Sequence, residues 1–224
     1  MNRDVSTAPR LREVSRSVRE WNHNTHHHGA LLRLLPPRPE SVVDVGCGDG
    51  SFAALLGQRC DTVLALDVDP VQVEAARRRC AAQSNVTVQE GDFLAAGLPS
   101  RRFDVVTALA SFHHMPFEAA ANEVVRVLKP GGRLVVLGVW TDRSTALDIV
   151  LNLISTAMNL VLRRLRGPDV MAAPATMPTM SFPEVKQAAR ECFPGARIKR
   201  RRLWRYTLTW EKPKGRDQTR TRCP

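Results

Sequence analysis

The stretch VVDVGCGDGSFAALL, residues 42–56, changes character twice within a few positions. A β-branched run around Asp44, from Val42 to Val45, reads as a short buried strand. It breaks into Gly46-Cys47-Gly48-Asp49-Gly50 and resumes as the apolar start of a helix at Phe52. A turn this sharp needs positive φ and no Cβ at several positions, which glycine supplies without steric cost. It lets a ligand lie against bare backbone at a helix N-terminus, where unpaired N–H groups favour negative charge. Many nucleotide-binding folds share such a turn, so its neighbours carry the specificity.

Outward from the turn the pattern alternates. Residues 62–68, 86–92, 102–110 and 132–140 read as further strands, with helices over about 50–58, 70–84 and 117–128 between them. Pro70 sits at the favoured first position of its helix. Strands alternating with helices imply parallel crossovers and a doubly wound sheet. Past a helix at about 182–192 and a short strand near 196–199, Trp204, Tyr206, Leu208 and Trp210 alternate with Arg205, Thr207 and Thr209. That period of two is a last strand with a buried aromatic face.

Two segments flank this body. Leu11, Val14, Val18 and Trp21 recur at helical spacing, and Leu31, Leu32, Leu34 and Leu35 form a second apolar face stopped by Pro36 and Pro37. Residues 146–162 are apolar nearly to the length of a membrane span. However, Asp148, Asn152, Ser155 and Asn159 form one polar stripe, and the run is shorter than the roughly 20 residues a bilayer needs. This reads as a broad-faced amphipathic helix, with peripheral membrane contact as the lesser reading.

Composition bounds the rest. With 224 residues, 43% of them hydrophobic, the chain suits one globular domain. Five cysteines without a CxxC pair argue against a disulfide framework or a zinc site and suit a reducing, cytoplasmic setting. His23, His26, His27 and His28 cluster, but three consecutive histidines cannot share one helix face, so no metal is expected. The net charge is +11, and from Arg197 onward eleven Lys and Arg stand against Glu211 and Asp217. That run fits either an acidic partner such as RNA or an anionic surface, or a solvated edge strand and tail.

Four features line up along the expected sheet: Asp44 before the turn, Asp67 ending the second strand, Gly91-Asp92-Phe93 ending the third, and LKPGGRLVVLG at 128–138 opening the fifth. In open α/β sheets ligands bind at the carboxyl ends of strands, where the first three converge. On these residues the chain resembles the class I S-adenosylmethionine-dependent methyltransferases of small-molecule type, close to the ubiquinone/menaquinone C-methyltransferase-like group. VVDVGCGDG resembles that family's first motif, ALDVD its acidic second, GDF its adenine-binding third, and FDVVTALASFHHM its fourth.

The resemblance implies an α/β, Rossmann-like doubly wound seven-stranded sheet, parallel except for the last strand. It also implies an N-terminal helical lid and an inserted amphipathic helix after strand 5. The expected divisions are 1–35 for tail and lid and 36–212 for the catalytic domain, with 146–180 as a substrate cap and 213–224 as a basic tail. By the same resemblance Asp67 holds both ribose hydroxyls of S-adenosyl-L-methionine, Val68 packs on adenine, and Asp92 with the Phe93 backbone reads the adenine edge. Gly46, Cys47 and Gly48 approach the methionine end, the Ala108 carbonyl takes the ammonium, and Asp44, preceding the turn, counts among the cofactor-binding residues. The lid departs from the common pattern, showing Trp21-Asn22-His23 where a tyrosine often covers the methionine.

The competing nicotinamide fingerprint wants glycine where Ser51 stands and has no use for GDF or LKPGG. Methyl transfer asks for in-line positioning and, with a protonated acceptor, a base. His113 and His114, just after the fourth strand, are the candidates, His113 being nearer the strand end. The acceptor expected is a small, apolar or aromatic metabolite, its O, N or C atom left open, in a monomer or homodimer. The alternative is a nucleic-acid methyltransferase using the basic C-terminus. Against it, ALASFHH replaces the Asp/Asn-Pro-Pro-aromatic sequence that accompanies base amino-group methylation.

Overall fold

The computed structural model describes residues 25–141, 178–201 and 205–215. The expected lid helix before residue 25, the cap helix at 146–162 and the end of the basic tail lie outside the described residues. Within them the sheet has seven strands in the order β3-β2-β1-β4-β5-β7-β6. These are β1 Ser41–Val45, β2 Thr62–Asp67, β3 Val86–Glu90, β4 Phe103–Leu109, β5 Leu128–Val139, β6 Arg197–Arg201 and β7 Arg205–Glu211. All neighbours from β3 through β5 pair in parallel, while β7 runs antiparallel to both β5 and β6. The last strand alone is therefore reversed, as expected.

β1 is buried along its whole length because both its faces are covered. Val43, Val106, Leu134 and Val136 pack with α4 (Phe117–Val127) and α5 (Phe182–Cys192). The alternate residues Val42, Val105, Val135 and Leu137 pack with Leu31 of α1 (His28–Leu32) and with Phe52 and Leu56 of α2 (Ser51–Gly57). α3 (Pro70–Cys80) closes the same side over Ala65. Asp69 caps α3 by accepting from the Val71 N–H at 2.8 Å, with Pro70 in the first turn.

The order of strands reverses between β1 and β4, which is where such sheets open a crevice at their carboxyl ends. Three boundaries differ from the sequence expectation. α3 stops at Cys80 and β3 at Glu90, so Gly91-Asp92-Phe93 forms a loop beyond the strand. β5 begins at Leu128, so LKPGG lies inside the ladder. Leu128 pairs with Phe103, and pairing resumes at Arg133 opposite Val105. Gly131, at φ +79°, lets this excursion fold back on the strand.

Lys212 accounts for the excursion's stability and corrects its place in the basic run. Its side chain is buried, and its Nζ donates to the Val125 and Leu128 carbonyls at 2.7 and 2.8 Å. Its backbone N–H donates to Gly132 O, and its carbonyl accepts from the Gly131 N–H. Cys47, Cys60 and Cys80 are free and buried. Cys192 is disulfide-bonded, which departs from the reading of spacing alone, since a fold joins cysteines regardless of their separation in sequence.

Candidate active site

The glycine turn is set by close approaches. Gly46, Gly48 and Gly50 all have φ between +55° and +77°, the left-handed region that disfavours other residues. The Gly46 and Cys47 N–H groups both donate to Leu66 O, at 2.7 and 3.0 Å, stitching the turn to β2. A Cβ on Gly50 would meet Ala76 Cα at 2.9 Å, so this glycine lets α2 and α3 touch. Arg79 ties the turn from outside, donating to the Asp49 carboxylate at 2.8 Å and to the Asp49 carbonyl at 3.0 Å.

Asp67 ends β2 with its carboxylate aimed back at the turn. Oδ2 accepts from the Gly48 N–H at 2.7 Å, and Oδ1 from the Asp69 N–H at 3.0 Å. Beside it stand Val68 and Val71, 64% and 70% exposed, the exposed large hydrophobics among the described residues. An oriented carboxylate next to bare apolar side chains is a surface made for a ligand with hydroxyls and a flat apolar ring. Asp92 is exposed across the crevice, its Oδ1 accepting from the Leu94 N–H at 3.0 Å, whereas Phe93 is in the core. The Gly91 N–H donates to Asp67 O at 2.8 Å, which fixes the two loops together.

Asp44 lies beneath the turn, 1% exposed, accepting a 2.6 Å hydrogen bond from the Thr107 hydroxyl. Burial pushes its carboxyl up to about 7, against the pull of that hydrogen bond. Burial also pushes the Cys47 thiol up, with Asp44 and Asp67 adding to the effect, so Cys47 is a wall and not a nucleophile. Ala108 is the last β4 residue paired to β1, opposite Val45, and its side chain is buried.

After β4 the chain turns through Ala110, a non-glycine residue at φ +55°. The Ala110 N–H donates to Leu137 O, and the Ser111 hydroxyl to Val45 O. This strained corner carries the 3-10 turn Phe112–His114. His113 is half-buried and lines a cavity of about 110 Å³, whereas His114 is exposed, its ring 4.0 Å from that of His113. The cavity also takes Met115, Phe117, Val139, Met180 and Tyr206 as walls. The sequence reading placed Tyr206 in the last strand but not at the site. Its partner Gly138 was the available signal, since a strand glycine marks a close approach.

His28 was read only as part of a histidine cluster. It is buried, with its ring 5.0 Å from Phe52 at the start of α2. Burial lowers it to about 4, with the Asp49 charge pulling the other way, so it is a neutral packing residue.

This strand order and this crevice define a class of enzyme, and comparison with known proteins agrees. Residues 43–136 match the methyltransferase domain family. An uncharacterised methyltransferase of Mycobacterium tuberculosis is 31% identical over 195 residues, covering 86% of this chain and 98% of that protein. The demethylmenaquinone methyltransferase of Thermus thermophilus is 37% identical over 112 residues, 48% of this chain and 51% of that one. The crystal structure of an S-adenosylmethionine-dependent methyltransferase from Aquifex aeolicus superposes with a TM-score of 0.57 at 19% identity, covering 82% of this chain and 88% of that chain. The chain belongs to the class I S-adenosylmethionine-dependent methyltransferases.

Proposed function

We propose that this methyltransferase binds S-adenosyl-L-methionine along the carboxyl ends of β1, β2 and β3 and methylates a small, apolar or aromatic metabolite. The observation that carries the reading is the Asp67 carboxylate, held by the Gly48 amide beside exposed Val68 and Val71. Asp67 has lone pairs left for two ribose hydroxyls, and the two valines are the apolar surface an adenine covers. Asp92 flanks that surface from the loop after β3, and the half-buried Gly46 and Gly48 lie at the end of β1, next to Asp67.

Bound there, the cofactor supplies a sulfonium whose methyl is already activated. The protein's part is then alignment of the acceptor, exclusion of water and, for a protonated acceptor, removal of its proton. For a protonated acceptor, His113 would take the proton that leaves the acceptor atom as it is methylated. The cavity beyond His113 is mostly apolar, which supports an apolar or aromatic acceptor. Similarity to a demethylmenaquinone methyltransferase supports the same class.

The nucleic-acid alternative draws less support. Part of the basic run is spent inside the protein: Lys212 caps carbonyls, and Arg200 stacks on Phe182 and Trp140 at 4.4 and 5.0 Å.

Titration calorimetry tests the cofactor. S-Adenosylmethionine binds the wild type, and Asp67→Asn weakens it about tenfold or more, the order for losing a charged partner to ligand hydroxyls. Absence of heat with the wild type overturns the reading.

A further inference from the structure

The chain entering β1 and the chain entering β2 enclose a groove of about 570 Å³ at the amino ends of those strands. It lies about 15 Å, the length of β1, from the glycine turn. Its two walls are fixed to each other: the Asp61 N–H donates to Pro39 O at 3.2 Å, and the Thr62 N–H to Glu40 O at 2.9 Å. Arg33 and Arg38 line it from one wall and Arg59 from the other, with Asp61 as the acidic residue among the described lining. All three arginines are exposed, and none of their guanidiniums has a hydrogen bond or ion pair to a described residue.

The fold does not account for these charges. Arg59 follows α2, yet carbonyls there are already taken. Asn85 Nδ2 donates to Gly57 O and Cys60 O at 2.8 and 2.9 Å, and Gln83 Nε2 to Ala54 O at 2.8 Å. Arg38 stands between Pro37 and Pro39 at φ +45°, the left-handed region where a residue with a Cβ is strained. Glycine would hold the same turn without that strain, so what the arginine adds is its guanidinium. Strain kept where the fold does not require the side chain is the mark of a ligand contact.

We propose that this groove binds a diphosphate monoester, its diphosphate held by Arg33, Arg38 and Arg59 and its apolar group laid against Leu32 and Leu35. Guanidinium forks match phosphate oxygens in pairs, and three of them on two walls suit two linked phosphoryl groups. Three arginines against Asp61 leave the lining a net charge of +2, and the volume of about 570 Å³ is that of a small-molecule site. Leu32 and Leu35 are half-buried and present apolar surface beside the charges. The site stands apart from the crevice and does not depend on the cofactor reading.

Calorimetry on the full chain, with and without S-adenosylmethionine in excess, tests the proposal. n-Hexyl diphosphate binds at one site in both cases, and inorganic pyrophosphate binds more weakly because it lacks the apolar group. Arg33→Gln and Arg59→Gln each lower the affinity about tenfold. Arg38→Gly does the same and leaves the melting temperature unchanged or higher, since charge and strain go together. Arg190→Gln, which removes an exposed charge from α5, leaves binding unchanged. An equal loss in Arg190→Gln would reduce the effect to the chain's net charge of +11 and overturn the proposal. Absence of heat with n-hexyl diphosphate overturns it, as does a lower melting temperature in Arg38→Gly, which would make that arginine structural. An octaglutamate peptide binding as tightly as the diphosphate also overturns it, and would assign the face to an acidic protein segment.

Discussion

Gly46 and Ser111 approach so closely that a Cβ on the glycine would stand 2.3 Å from Ser111 Cβ. The contact joins the end of β1 to the corner after β4, across the point where the strand order reverses. The Ser111 hydroxyl, bonded to Val45 O, holds that corner against the turn. The crevice is thus shaped by two backbones pressed together, with one side chain as the clasp.

Gly46→Ala therefore combines a backbone strain with an overpacked contact. Left-handed φ costs a residue with a Cβ about 1–3 kcal/mol, and overpacking typically about 1–3 kcal/mol more. Urea unfolding is expected to show a loss in that summed range. Adding Ser111→Gly removes the collision but not the strain, so the double variant recovers only part of the loss. Full recovery would show that φ at Gly46 carries no cost.

Val68→Ser separates binding from folding. Val68 is exposed in the protein without ligand, so the substitution leaves the melting temperature within about a degree or two, as surface changes do. Affinity for S-adenosylmethionine falls several-fold, because the apolar cover of the adenine is reduced. A variant that loses stability but keeps its affinity would move Val68 out of the cofactor surface.

Stability against pH carries two opposing contributions. His28, at about 4 folded and 6.5 as its ordinary value, takes up a proton in the unfolded chain first, so stability is lost as pH falls from 6.5 towards 4. Asp44, at about 7 folded and 3.8 as its ordinary value, stays protonated while the unfolded chain ionises. Its contribution is lost as pH rises from about 4 to 7. Each spans up to roughly 3–4 kcal/mol at about 1.4 kcal/mol per pH unit. Unfolding free energy in the wild type is expected to be nearly flat between pH 4.5 and 6.5. In Asp44→Asn it rises with pH across that window, and in His28→Asn it falls. Parallel profiles for all three proteins would contradict both assignments.

Lys212 and the residues after it are expected to part company. Lys212→Met removes two hydrogen bonds to the Val125 and Leu128 carbonyls, leaving buried acceptors without partners and costing about 1–3 kcal/mol each. Ending the chain after Lys212 keeps those bonds, and turnover on a small acceptor should remain nearly intact. A large loss of activity in the shortened but folded protein would return the basic tail to the active site.

The central strands and the glycine turn were legible because apolar runs and β-branching report burial, and β1, β4 and β7 are buried along most of their length. Asp67 was legible because its distance from the turn is fixed by one helix and one strand. What stayed hidden depends on contacts between distant residues. The burial of Lys212 needs α4 and β7 together. The Ala110 corner is an L-residue in a conformation that composition does not announce. Tyr206 reaches the cavity only because the β5–β7 register sets it on Gly138. A single sequence shows that these residues are apolar or polar, and not which of them face a common cavity.

The choice between the two histidines follows from the same corner. His113 is half-buried and lines the cavity, whereas His114 lies exposed beside it. A base must reach the acceptor's proton within hydrogen-bond distance, directly or through one water, and only a group on the cavity wall meets that condition. With a phenolic acceptor, whose proton must leave as the methyl arrives, His113→Ala is expected to lower kcat by roughly 10²–10⁴ with cofactor affinity unchanged, the scale of general base catalysis. His114→Ala is expected to change kcat by no more than a few-fold. The acidic limb of the pH–rate profile belongs to the free base, so it disappears in His113→Ala and persists in His114→Ala. Near-wild-type rates and an unshifted acidic limb in His113→Ala would remove that histidine from the mechanism and leave alignment alone to account for the rate.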